Sequence, residues 1–157
     1  MPVFQTRRPV AHSAAKMFDL VADVEAYPQF VPMCAALRVR KRVKTEAGLD
    51  QLVADMEVGY KAIREKFTSR VTLDRPSLKI LVEYIDGPFS RLENRWTFLP
   101  GAGGEGTSIV DFYIDYTFRS RMLGLLMGSM FDIAFRRFTA AFEARANAVY
   151  GSGAAKA

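Results

Sequence analysis

The period of the hydrophobic pattern changes once along this chain, and that change decides the fold class. From Leu37 to Phe118 apolar residues recur at every second position through six consecutive segments, the signature of half-buried strands. From Ser120 to about Tyr150 they recur at 3.6 residues with no intervening proline, the signature of one long helix. The strand segments are Leu37–Lys44, Leu49–Tyr60, Ile63–Leu73, Leu78–Ile85, Arg91–Leu99 and Ser108–Phe118. Turn residues separate them at Ala47-Gly48, at Arg75-Pro76 and along Pro100–Gly106. Val3–Arg8 reads as a short opening strand. Ser13 is placed to cap a helix over Ala14–Ala22, and Asp23–Pro32 follows as a second short helical region. Strands joined by short turns make an antiparallel meander. The order predicts an α+β fold: a seven-stranded curved antiparallel sheet, two short helices after the first strand, and one long C-terminal helix. Residues 1–150 form a single domain in this reading, and 151–157 a disordered tail.

The long helix carries a second message. Phe131, Phe135, Phe138 and Phe142 fall on one stripe, which must be buried. Met122, Leu125, Leu126 and Ile133 lie roughly opposite, where a helix resting on an ordinary core is polar. The first half of the helix is therefore expected to meet something apolar on two sides: a cavity, a lipid or a partner. A curled sheet gripping one helix need not fill completely, and the space between them is a natural ligand cavity. Twelve Phe and seven Met suit such an adaptable interior. Gly124 and Gly128 are expected to let the helix pack closely on the sheet.

Composition excludes several classes. The single cysteine, Cys34, permits no internal disulfide, which favours a reducing compartment. No run of about twenty apolar residues exists to span a membrane, and residues 1–9 show no secretory signal. His12 is the only histidine and has no recognisable catalytic company. No metal-ligand cluster, nucleophile elbow or phosphate-binding glycine loop is present. Neither a metal nor a catalytic residue is expected. The formal net charge of +5 permits contact with anionic lipid or RNA.

Several spaced motifs carry a family resemblance. Val21-Ala-Asp-Val-Glu-Ala-Tyr-Pro-Gln-Phe-Val-Pro-Met-Cys34, Phe67-Thr-Ser-Arg-Val71, Asp86-Gly-Pro-Phe-Ser-Arg-Leu92, Trp96-Thr-Phe98 and Ala141-Phe-Glu-Ala-Arg-Ala146 occur in this order. Together they resemble the coenzyme Q-binding, START-like family within the polyketide cyclase superfamily. The resemblance covers almost all of Val3 to Tyr150. It implies a helix-grip fold of the START/Bet v 1 type with a hydrophobic tunnel. It implies binding of ubiquinone (coenzyme Q) or a related polyprenyl lipid, in support of respiratory electron transfer or quinone biosynthesis. With the lone cysteine and the basic strand residues, this leads us to expect a cytoplasmic monomer, peripheral to the inner membrane, that touches an anionic membrane surface transiently. A ribosome association toxin group closely resembles this family, so a ribosome-binding module that blocks subunit joining is the rival reading. A polyketide cyclase-like enzyme is the third. DNA is not an expected partner.

Within that frame the candidate lining of the tunnel is Met56, Val58, Ile63, Phe67, Val82, Trp96, Phe112, Ile114, Leu123, Met127, Met130 and Phe131. Glu65 and Asn94 fall on apolar strand faces. Each either offers a hydrogen bond to a quinone oxygen or is turned to water by a bulge. Tyr60, Tyr84 and Tyr116 are further polar candidates. Tyr27, Pro28, Phe30, Val31 and Met33 form either a gate at the tunnel mouth or a loop folded on the sheet edge. Gly87-Pro88 makes a tight turn, and Phe89 either helps close the tunnel or anchors the hairpin. Arg38, Arg40, Arg42 and Lys44 alternate on one predicted strand face. They fit an anionic membrane, ribosomal RNA, or a solvated sheet edge.

Overall fold

The computed structural model describes residues 3–60 and 62–151. Of the expected tail, 151–157, only Gly151 is described, as the residue that ends the C-terminal helix; residues 152–157 and the Tyr60 side chain lie outside the described residues. Strand β1 (Val3–Val10) is followed by α1 (Ala14–Ala22), a 3-10 turn (Val24–Gln29), and strands β2 (Cys34–Lys44) and β3 (Asp50–Tyr60). Then come β4 (Ile63–Asp74), β5 (Lys79–Asp86), β6 (Phe89–Gly101), β7 (Gly104–Phe118) and the long helix α2 (Arg121–Tyr150). The expected element order holds throughout. The glycine-rich loop is shorter than its sequence implies, because Gly101 pairs with Gly104 and the turn between β6 and β7 closes at once.

The sheet is a meander, β7-β6-β5-β4-β3-β2, with β1 added beside β7. All pairings are antiparallel. Alternation puts Leu52, Ala54, Val58, Val71, Ile80, Asn94, Trp96, Phe112 and Ile114 on the inner side. The outer side carries ion pairs such as Arg7–Asp111 at 3.1 Å and Arg70–Glu83 at 3.4 Å. Both helices are capped as expected: Ser13 Oγ accepts from Lys16 N–H and Ser120 Oγ from Leu123 N–H. The face of α1 that holds Met17, Phe18 and Val21 is buried, and Phe18 packs edge-on against Phe98 at 5.9 Å.

Helix α2 lies across the concave face and seats its phenylalanines among the strand aromatics. Phe142 meets Trp96 at 5.0 Å, Phe138 meets Phe112 at 5.9 Å, Phe135 meets Tyr116 at 5.2 Å and Phe131 meets Phe89 at 5.6 Å. Edge-to-face pairs of this kind each add about 0.5–1.5 kcal/mol beyond the area they bury.

Two local expectations are corrected, for the α2 glycines and for the basic row. Gly124 and Gly128 do not serve close packing. A Cβ on Gly128 would meet nothing within 4 Å, and one on Gly124 would meet only Phe118 at an ordinary 3.8 Å. No element among the described residues covers Met122, Leu125, Leu126 or Ile133, which remain exposed on the far side of α2. The basic row on β2 does not stay on one face. A bulge between Val39 and Lys41 inserts Arg40 as an extra residue. Arg38 pairs across from Asp55 on the outer side, whereas Arg42 pairs across from buried Leu52 and Lys44 from Asp50 on the inner side.

Gly87 does need to be glycine. Its φ is 145°, and a Cβ there would come within 2.5 Å of Phe67 Cβ. The tight turn it makes with Pro88 delivers Phe89 into the core. Phe89 stacks on Phe118 at 5.0 Å and meets Phe67 edge-on at 5.8 Å.

Candidate functional site

The concave face and α2 do not close completely on each other. Between them lies a cavity of about 90 Å3. Its floor comes from alternate residues of five strands: Leu37, Ala54, Met56, Val58, Phe67, Ser69, Val71, Ile80, Val82, Leu92, Asn94 and Trp96, with Ile114 from β7. Its roof is the phenylalanine stripe of α2, Phe131, Phe135, Phe138 and Phe142. Val24, Tyr27 and Val31, from the 3-10 turn and the loop after it, close one side. The period of two on the strands and of 3.6 on the helix converge here because each element turns its apolar face inward.

Among the residues expected to line a tunnel, Met56, Val58, Phe67, Val82, Asn94, Trp96, Ile114 and Phe131 surround this cavity. Phe112, Met127 and Met130 are buried in the adjoining core and do not reach it. Ile63 and Leu123 are half-buried at its periphery and are not part of the wall. Glu65 stands opposite Val58 with no bulge between β3 and β4, so its strand face is the inner one. It sits beyond the end of the cavity and is half-exposed. Of the loop residues, Tyr27 and Val31 form cavity wall, while Pro28 is exposed and Phe30 and Met33 are half-buried. Phe30 packs edge-on against Phe142 at 5.0 Å. Phe89 is buried beside the cavity rather than in its wall. The wall also includes Phe135, Phe138 and Phe142, which the sequence marks as a buried stripe. It includes Ala54, Ser69 and Val71 too, which share strand faces with candidates already singled out.

Among the described residues the wall carries no carboxylate, imidazole, ammonium or guanidinium group. Its polar groups are few and mostly engaged. Tyr27 donates its hydroxyl to the Val21 carbonyl at 2.5 Å, and burial pushes its pKa above the ordinary tyrosine value. Trp96 Nε1–H donates to Asn94 Oδ1 at 3.0 Å, and Asn94 Nδ2 donates to the Tyr113 carbonyl at 2.8 Å. That leaves the second Nδ2 hydrogen of Asn94. The Ser69 hydroxyl, buried on β4, makes no hydrogen bond to another described residue. Cys34 lies near Tyr27 and is buried, which pushes its thiol up to about 11. Such a thiol is largely neutral at physiological pH and is a poor nucleophile. Within the cavity this set of groups can hold an apolar body and offer hydrogen-bond donors to an acceptor. It supplies no general acid or base there.

The basic residues of β2 are partly neutralised. Arg40 pairs with Asp55 at 3.3 Å, Arg42 with Glu25 at 2.7 Å and Lys44 with Asp50 at 2.7 Å. The Lys44 ammonium holds the Asp50 carboxyl below its usual range. Arg38 and Lys41 are exposed and carry no ion pair among the described residues.

A curved sheet gripping a long helix around an apolar cavity defines the START-like class, and comparison places the chain there. It belongs to the family described as polyketide cyclase/dehydrase and lipid transport, whose profile matches residues 10–143. It is 34% identical to the ribosome association toxin RatA of Rickettsia prowazekii, over 93% of this chain and 97% of that protein. It is 32% identical to the mitochondrial coenzyme Q-binding protein COQ10 homolog B of Xenopus laevis, over 88% of this chain and 55% of that protein. The solution structure of an 18 kDa protein from Caulobacter crescentus is 33% identical and superposes with a TM-score of 0.77, covering 97% of this chain and all of that one. No helix among the described residues is long and apolar enough to cross a membrane.

Proposed function

We propose that the protein binds ubiquinone or a similar polyprenyl lipid between the concave sheet face and α2. It would act as a carrier or chaperone in respiratory electron transfer or quinone biosynthesis, on the cytoplasmic side of the inner membrane. The observation that carries this reading is the apolar cavity between sheet and helix, with no charged side chain among the described residues of its wall. Apolar burial at about 25 cal/mol per Å2 supplies the affinity. Ser69 and Asn94 are the donors available to orient a quinone carbonyl. The resemblance to a coenzyme Q-binding protein supports the ligand class.

The cavity also sets a condition. Engineered apolar cavities of about 150 Å3 accept benzene. At about 90 Å3 this one is smaller. A substituted quinone ring can enter only if the phenylalanine roof swings or α2 lifts. Organic extraction of the purified protein followed by mass spectrometry tests the proposal: a polyprenyl quinone should be recovered, and delipidated protein should take up added ubiquinone. Ala54→Leu fills the cavity from its floor and should abolish uptake while the protein stays folded. Protein that carries no lipid and takes up no quinone would sink the proposal.

A second reading, a ribosome-associated module, is favoured by one observation. The toxin relative matches over nearly its whole length, whereas the chain spans about half of the coenzyme Q-binding relative. It predicts salt-sensitive cosedimentation with ribosomal subunits that Arg38→Glu with Lys41→Glu removes and Ala54→Leu leaves intact. The cyclase reading finds no acid or base among the described residues of the cavity wall. It would be rescued by an activity lost in Glu65→Gln.

A further inference from the structure

We infer that the N-terminal half of α2 is a membrane-docking surface that seats on an anionic lipid bilayer. Met122, Leu125, Leu126 and Ile133 are 70%, 78%, 58% and 39% exposed. At 100° per residue they occupy about a 100° arc, directly opposite Met127, Phe131 and Phe135, and extend along roughly 16 Å of helix. Four large apolar side chains facing water together are not ordinary surface scatter. The notable feature is what frames them. Arg119, Arg121, Arg136 and Arg137 flank the stripe against one acidic residue, Asp132. Only Arg136 is engaged, with Asp132 at 3.0 Å; Arg119, Arg121 and Arg137 are exposed and have no acidic partner among the described residues. An apolar stripe bordered by unpaired arginines is the chemistry of a helix lying in the interface of an anionic membrane, side chains in the acyl boundary and guanidinium groups at the phosphates.

The same chemistry argues against other occupants. A second copy related by a two-fold axis would bring the cationic border against itself. An RNA partner would meet the arginines but leave the apolar centre unburied. Position adds weight. The buried side of these same turns supplies Phe131 to the cavity roof. Gly124 and Gly128 leave this stretch without a wedge against the sheet. A bilayer engaging the outer side would therefore hold the turns of α2 that carry this end of the cavity roof.

This rests on the lipid-binding reading for its purpose, and the two fail separately: quinone retention in detergent reports the cavity, vesicle binding reports the surface. The test is cosedimentation with vesicles of phosphatidylcholine containing about one-third phosphatidylglycerol, and with phosphatidylcholine alone. Binding to the anionic vesicles that weakens as salt rises is expected. Leu125→Glu with Leu126→Glu should lower the partition coefficient by about tenfold or more. Arg121→Gln and Arg137→Gln should each lower it roughly fivefold. All four sites are exposed, so circular dichroism and detergent-phase quinone retention should not change. Leu125→Trp gives an independent reading, a blue shift of its fluorescence when anionic vesicles are added. Wild-type protein that ignores anionic vesicles, or an unchanged partition for the double glutamate variant, overturns the inference. So does a dimer, or a ribosome complex, that the double glutamate variant dissolves.

Discussion

Asn94 shows how this fold tolerates an amide in an apolar wall. Its two bonds, to Trp96 and to the Tyr113 carbonyl, fix the indole in the cavity floor. Asn94→Ala leaves the buried Trp96 N–H without a mate and should destabilise the protein by about 1–3 kcal/mol in urea titration. Phe142 is buried under Trp96, Tyr27 and Phe30. Phe142→Ala should cost about 3–5 kcal/mol, read the same way. Strand alternation makes Asn94 legible as inward-facing. The same alternation makes Glu65 look equivalent, yet only Asn94 reaches the cavity. The difference is distance along the strand from the helix crossing, which no local pattern encodes.

At the scale of elements, α2 is less stable than its length allows. Gly124 and Gly128 each forgo about 1 kcal/mol of helix propensity relative to alanine, with no packing reason among the described residues. Gly124→Ala with Gly128→Ala should raise the melting temperature by about 2–6 °C in a thermal scan. If the roof opens through these turns, quinone uptake by the same variant should slow in stopped flow. The helix boundaries were readable because serine caps, glycine and a 3.6 period agree at both ends. The β2 bulge was harder. Its trace is the run Arg40-Lys41-Arg42, three cations that interrupt a period of two. A run of charge has several explanations, and only the pairing with β3 selects one.

Taken whole, the molecule keeps several acidic hydrogens out of water. Burial raises Cys34 from 9.0 to about 11, and it raises Tyr27, Tyr116 and Tyr150 in the same direction. The folded state holds protons that the unfolded chain releases. The Cys34 contribution is complete below pH 9 and is lost as pH rises through about 11. The urea midpoint should fall over that window, and Cys34→Ala should flatten the fall. Native Cys34 should also resist iodoacetamide at pH 8 until urea is added, when thiol titration detects it. Sheet order was legible because six strands follow one another with short turns. The size of the cavity was not, since it depends on how deeply one rigid helix sinks into a curved floor.

One pairing has a temporal consequence. Val3 sits opposite Asp115, and Val10 opposite Ser108, so β1 must wait for β7, about a hundred residues further along. During synthesis the meander can zip from β2 onward while β1 hangs without a neighbour. Closing so distant a contact is slow. The roof helix is translated after β7, so an emerging chain exposes its oily floor until the thirty residues of α2 arrive.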